Sequence, residues 1–410
     1  VSRPRSTHRT RSALALAGVL VAMTACASTE PSTGTSDADT TGTQATGTTP
    51  AGTSPGGGAG PAPYLVFNAQ GNHLDAYDPD PPFATQRVIT SAAEAVDGLD
   101  INGQICIVDD GRTLIAGEDT GQGGGGVQGW GVFRLEGDAV VEVRATLVGK
   151  LVPTFQEVDE QPENYGCGEL ADGRLLTTDI GLQALGPSSD QLIVWCPPFD
   201  SSEVAYCKLD VDIATAQSMW VDEQDRIWVA SARPSDEEGA TSGGVWVYEG
   251  PFPTGPDAAG GCGRTDDTGA PLADSVDKQL VIPAGPNGLL SPTGLAPALN
   301  GNVYVSSVAS GVINEYTTDG DFVRSILAPA GGETIGSYSG GTPLGIGVGP
   351  DGTLYYADIG LVVQATGLPG PGASTGTVRR IVFVDGEPQP PEVMADGLAF
   401  PDGIGIWLLP

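Results

Sequence analysis

Asp402, in the C-terminal phrase PDGIGIWL, is the carboxylate of this sequence best placed to do chemistry. It belongs to a set of residues that recur at or next to the starts of β-rich runs: Asn102, Asn164, Gln217, Thr293, Leu344 and Asp402. A second set ends the runs that follow: Asn68, Glu118, Asp179, Ser231, Ser307 and Asp358. Oxygen-bearing side chains of this kind suit hydrogen-bonded recognition or a hard cation such as Ca²⁺, which takes six to eight oxygens in tolerant geometry. An Asp at the end of a returning strand also caps the next turn by accepting backbone N–H bonds, and that structural role is the expectation for Asp179 and Asp358. Other chemistries fail on inventory. Beyond residue 8 the only histidine is His73, in GNHLDAYD. That excludes multi-histidine zinc or iron sites, and His73 beside Asp75 is expected on the surface of an outer strand. Glu118 precedes the loop DTGQGGGGVQGW, whose glycines lack the strand–helix context of a dinucleotide site and read as a surface loop.

The two sets converge only if the runs are blades of a ring. PLGIGVGPDGTLYYADIG at 343–360 is echoed by PTGLAPALNGNVYVSSVAS at 292–310, QSMWVDEQDRIWVASAR at 217–233 and NYGCGELADGRLLTTDIG at 164–181. Aligned on the turns Asp110-Gly111, Asp172-Gly173, Gln224-Asp225, Asn300-Gly301 and Asp351-Gly352, the copies are spaced by 62, 52, 76 and 51 residues. That is room for four short strands and their loops, the unit of a propeller blade. The D-G and N-G pairs suit tight hairpins. The 61 Gly and 33 Pro among 410 residues agree with many strands and turns. At the ends, PDGIGIWL opens the phrase and stops, while YLVFNAQGNHLDAYDPDPPFATQRVIT at 64–90 supplies the other three strands. The predicted fold is therefore all-β, a six-bladed β-propeller closed by N- and C-terminal strands sharing one blade, which removes open sheet edges. In such a ring the first strand enters near the axis and the second returns to the same end, so both residue sets meet there.

The phrase P-x-G-[IL]-[AG]-V-x-x-D-G-x-[LI]-Y-x-x-D resembles NHL-repeat propellers and the senescence-marker-protein/gluconolactonase superfamily, over most of residues 64–410. The resemblance implies an axial Ca²⁺ held by Glu, Asn and Asp oxygens. Asp402 matches the family's D-G ligand, and Asn164 or Asn102 stands for an Asn. Two features depart from the family: no E-G-P-x-W phrase supplies its Glu, and Thr293 stands where Asn belongs. The grammar is shared by hydrolases, lyases, receptors and adhesive proteins, so it defines a fold and not an activity.

The rest of the chain speaks to location. Arg3, Arg5, Arg9 and Arg11 precede an apolar run from Ala13 to Ala22 and the box Met23-Thr24-Ala25-Cys26. This resembles a bacterial lipoprotein signal over 1–25, with Cys26 lipidated. Residues 26–62, rich in Ser, Thr, Gly and Pro, carry too little apolar surface to fold and read as a tether, with the propeller domain over 63–410. The expected site is the extracytoplasmic side of a cell membrane, lipid-anchored, and the expected state a monomer. Loss of those four Arg from 18 basic residues leaves 14 against 51 acidic, a net charge of −37. Such a body repels phosphate backbones, so nucleic acid is not an expected partner. In an oxidising compartment, Cys196 and Cys207 are the expected disulfide, facing each other across PPFDSSE. Cys106 and Cys167, in successive blades, are a second candidate pair, with Cys262 left over.

Three functions follow in order. The first is binding of a small molecule, glycan or protein on the loop-rich axial face, with Asn102, Glu118, Asn164, Gln217, Thr293 and Asp402 as lining candidates. The second is a calcium-dependent lactonase or esterase, with Asp402, Asn164 and Asn102 holding the ion. The third is a structural element of the cell envelope.

Overall fold

The structure, a computed structural model, describes residues 63–70, 73–90, 101–118, 129–151, 164–179, 191–200, 204–210, 213, 215–232, 243–252 and 276–410. The expected signal and tether, the Gly-rich segment 119–128 and Cys262 lie outside them. Six four-stranded antiparallel sheets form the ring. Blade I holds Ile101–Val108, Thr113–Glu118, Trp130–Glu136 and Arg144–Leu151. Blade II holds Asn164–Glu169, Leu175–Asp179, Gln191–Trp195 and Tyr206–Asp210. Blade III holds Ala216–Val221, Ile227–Ser231, Gly244–Glu249 and Asp277–Pro283. Blade IV holds Pro292–Pro297, Val303–Ser307, Val312–Tyr316 and Phe322–Leu327. Blade V holds Pro343–Val348, Leu354–Asp358, Gly376–Ile381 and Glu392–Leu398. Blade VI takes its inner strand, Pro401–Leu408, from the C-terminus and pairs it with Tyr64–Gln70, then His73–Tyr77 and Thr85–Thr90. Among the described residues no helix is long and apolar enough to cross a membrane.

The closure is a packed seam. Leu65 pairs with Trp407, whose ring lies 5.7 Å from Phe67 and whose indole N–H reaches the Gly111 carbonyl of blade I at 2.7 Å. Toward blade V, the Tyr64 hydroxyl meets Tyr355 at 2.7 Å and Asp351 at 3.0 Å. Hydrophobic clusters fill each gap between blades. One joins blades VI and I through Phe67, Leu74, Leu114 and Phe133, and another joins blades V and VI through Val66, Tyr355 and Ile404. The hairpin turns behave as their residues dictate: Gly111, Gly173, Gly301 and Gly352 adopt φ of +82° to +86°, and Asp225 takes +63° in the copy that lacks the glycine.

The small residue that follows each axial residue has a different cause. A Cβ on Gly166, Gly294, Gly345 or Gly403 would collide with a backbone carbonyl of the next blade's inner strand, those of Gln217, Leu344, Asp402 and Gly103 respectively. The inner strands therefore touch backbone to backbone around the axis, and every blade has a bulge there. Two hydroxyls bridge the same joints. Thr178 accepts the Gly166 N–H and donates to the Gln217 carbonyl, and Ser306 does the same between Gly294 and Leu344.

The expected Cys196–Cys207 disulfide is not formed. The hairpin register sets Cys207 opposite Val194, while Cys196 lies past the strand end with its N–H on the Ala205 carbonyl. Cys207 keeps a buried thiol, pushed up to about 11 by burial. Cys196 is disulfide-bonded elsewhere, outside the described residues. The described bridge is Cys106–Cys167, which ties the inner strands of blades I and II with Cα atoms 5.9 Å apart.

Candidate functional site

The bulge register fixes which residue of each inner strand faces the axis. Pairings of Ile101 with Glu118, Asn164 with Asp179, Ala216 with Ser231, Pro292 with Ser307, Pro343 with Asp358 and Pro401 with Gln70 are equivalent. One residue further on stand Asn102, Tyr165, Gln217, Thr293, Leu344 and Asp402. Five of these six are the residues expected from the sequence. In blade II the position belongs to Tyr165, and Asn164 only starts the strand. In the second set Gln70 takes the place expected for Asn68, which lies two residues earlier and donates its amide to the Gly403 carbonyl at 2.8 Å.

Asp402 is buried, and both of its oxygens are engaged. The Tyr165 hydroxyl donates to Oδ1 at 2.8 Å and the Gly103 N–H donates to Oδ2 at 2.9 Å. Blades VI, I and II are thus joined through one carboxylate. Burial pushes its pKa up to about 6, against the two hydrogen bonds that favour the anion. The Tyr165 ring belongs to an apolar cluster with Val308, Leu344, Ile359 and Leu361 of blades IV and V, flanked by Ile335 and Phe400. Tyr165 therefore spans the ring at this end.

Below it the axis is crossed again. The bulge of blade I holds one residue more than that of blade II, four steps from Ile101 to Ile105 against three from Asn164 to Cys167. Gln104 lies in this longer bulge. Its amide donates to the Met219 carbonyl at 2.9 Å, and its oxygen accepts the N–H groups of Met219 and Cys167 at 3.0 and 3.2 Å. Sequence comparison of the copies holds the signal for both plugs. Tyr165 is the residue before the Gly in NYGCG, as Asp402 is in PDGIG, and INGQI carries one residue too many.

The other expected residues divide. Thr293 is buried against Ser306, 3.2 Å away, and Gln217 is buried at its axial position. The side chains of Asn102, Glu118, Asn164 and Asp179 lie outside the described residues. Asp358 performs the structural role expected of it, accepting from Thr342, Gly360, Thr377 and Arg379 at 2.7–3.0 Å. Ser231 and Ser307 likewise secure loop backbone, through Ile213 and Ser291. His73 packs at Asp75, 3.4 Å away, beside Arg87. Burial opposes the Asp75 charge, yet the bonds from His73 and Arg87 hold its carboxyl below the usual range.

A calcium cage needs converging acceptor oxygens. The described neighbours of Asp402 present an O–H and an N–H donor to it, and no second carboxylate stands on the axial positions. Among the described residues no group of three or more His, Cys, Asp and Glu could hold a metal. Asn102 and Asn164, the other expected ligands, have side chains outside the described residues, and no step through a metal is derived.

The fold and this axial geometry define a six-bladed β-propeller. No family model matches the sequence, and no curated protein does. Solved structures similar in shape include a streptogramin B lyase (TM-score 0.46, 12% identity, covering 85% of this chain and 87% of that one). A calcium-binding regucalcin from Agrobacterium tumefaciens gives 0.43 and 12% over 73% and 83% of the two chains. A gluconolactonase from Xanthomonas campestris gives 0.39 and 15% over 84% and 90%. At such identities the likeness assigns no residue a role.

Proposed function

We propose that the protein is a lipid-anchored extracytoplasmic binding propeller, tethered through Cys26, that takes a small molecule, glycan or protein at the axial end carrying Tyr165 and Asp402. The observation that carries this reading is the Tyr165–Asp402 pair. A phenol and a carboxylate bond to each other at the axis, beside an apolar wall of Val308, Leu344, Ile359 and Leu361. A ligand hydroxyl can exchange into such a pair with no co-reactant, and its apolar body can lie on the wall. Among the described connections, those carrying Val308, Ile335, Ile359 and Phe400 meet at this end, as recognition loops on a rigid scaffold do.

A second reading, a calcium-dependent lactonase or esterase, draws on one feature: a buried carboxylate at the axial D-G position. The two separate by assay of the full chain with gluconolactone and nitrophenyl esters, with Ca²⁺ or EDTA, alongside a glycan array. The expected result is array binding weakened by Tyr165→Phe, without turnover above blank. Calcium-dependent turnover lost in Asp402→Asn would overturn the binding reading. Anchoring is checked by fatty-acid labelling, expected in the wild type and absent in Cys26→Ala.

A further inference from the structure

At the opposite end of the axis, where the short D-G turns lie, the inner strands of blades VI, I, II and III line an open cavity of about 600 Å³. That volume is in the range of small-molecule sites. Gln104 is among its lining residues and ties the inner strand of blade I to those of blades II and III through Cys167 and Met219. The walls are aliphatic, with Ile107, Val221 and Ile406 only partly buried, and Trp220 stands among them. Blade II contributes Gly168, where an added Cβ would come within 3.2–3.3 Å of Val221 and Met219, so the strands of blades II and III pack closely there.

One side of the mouth is acidic. Glu169, Asp109 and Asp110 line it, and no lining residue is basic. Asp109 has an exposed partner in Arg112 at 2.6 Å. Glu169 accepts the Asp109 N–H at 2.9 Å. Burial first, and then the charges of Asp109 and Asp110, hold its carboxyl above the ordinary value despite that bond. A cation arriving here offsets the negative charge of the three carboxylates. The three acids do not form a metal group, and the aliphatic walls offer an inorganic ion nothing.

We propose that this mouth binds small organic cations with an apolar body, of the alkylammonium class. The methylenes leave water against Ile107, Val221 and Ile406. The charged head sits toward Glu169 and Asp110. An anion is repelled by the rim, and a neutral lipophile gains the walls alone. This inference is independent of the binding reading at the other end.

The test is titration calorimetry of the full chain at low salt with hexyltrimethylammonium, with 1-hexanol and CaCl₂ as controls. Expected is saturable one-site binding of the cation, about tenfold tighter than 1-hexanol, with no calorimetric response to CaCl₂ at this mouth. Glu169→Gln and Asp110→Asn should each weaken it by about threefold to tenfold, the range of a partly screened charge contact. Asp110 lies on an exposed turn with φ of +51°, which Asn tolerates, so its variant reports even if Glu169→Gln perturbs the fold. Asp396→Asn, an exposed carboxylate of blade V away from this mouth, should leave the affinity unchanged. Absence of saturable binding, equal affinity for 1-hexanol, indifference to both carboxylate variants, or loss in Asp396→Asn would each overturn the proposal.

Discussion

Replacing Asp402 with Asn should make the protein relatively more stable as pH rises, an unusual direction for removal of a doubly hydrogen-bonded carboxylate. The folded carboxyl titrates at about 6 against an ordinary value of 3.8. A raised pKa in the folded state means that the folded form binds the extra proton. The stability it contributes is fully present below the unfolded value near 3.8, and is lost as pH climbs through about 6. About two units at 1.36 kcal/mol each gives a cost of ionisation of about 3 kcal/mol at neutral pH. Asn keeps the shape and carries no charge. Its oxygen can accept the Gly103 N–H, and its amide can donate to the Tyr165 oxygen, whose hydroxyl hydrogen turns away. Denaturant unfolding of both proteins in EDTA, at several pH values from 4 to 7.5, should show the variant gaining about 3 kcal/mol on wild type across that window. Taking the difference between the two proteins cancels every other titrating group, including Asp75, whose depressed pKa acts in the opposite sense. A gap that does not change with pH would refute the reasoning. If added Ca²⁺ at pH 7.5 stabilised the wild type and not the variant, Asp402 would be a cation ligand after all.

Removal of residues 401–410 deletes the inner strand of blade VI together with Asp402 and Trp407, and opens the ring on two sides. A loss of the cooperative thermal transition is expected, and retention of the wild-type midpoint would refute the closure energetics. Gly345→Ala should cost about 1–3 kcal/mol, because its Cβ meets the Asp402 backbone and neither strand can withdraw from the axis. Gly331→Ala, with nothing within 4 Å, should be neutral or slightly stabilising in the same urea titration.

The ring and its closure were legible because the chain repeats one grammar, and because PDGIGIWL and YLVFNAQ complete each other's blade. Axial residues were legible where each phrase keeps its spacing. They failed in blade II, where Asn164 offered a more ligand-like side chain than Tyr165 one position on. The alignment already distinguished them, since only Tyr165 directly precedes the glycine. A one-residue difference in register moves a side chain to the other face, so chemistry alone cannot settle such a choice. The same sensitivity undid the Cys196–Cys207 pairing. Symmetry about a turn was assumed, whereas strand pairing puts Val194 opposite Cys207. Cys106 and Cys167 meet because inner strands of neighbouring blades converge on the axis, a contact that only the closed ring creates. Gln104 escaped because the extra residue of INGQI, though present in the sequence, shows what it does only once the strand register is known.

Asp402 belongs both to the closure of the ring and to the candidate site, which constrains how it can be interpreted. Asp402 joins blade VI to the Gly103 backbone of blade I and to Tyr165 of blade II, so it contributes to closure. An amide could make both bonds without the ionisation cost of about 3 kcal/mol argued above. Thr178 and Ser306 show that neutral hydroxyls suffice to bridge inner strands elsewhere in the ring. A purely structural account therefore explains the hydrogen bonds of Asp402 and leaves its charge unexplained. A buried charge held at a cost to stability, where the local fold does not require one, is the pattern expected where function opposes stability. The pH series on Asp402→Asn decides whether that charge is held at neutral pH, and with it whether Asp402 does more than join three blades.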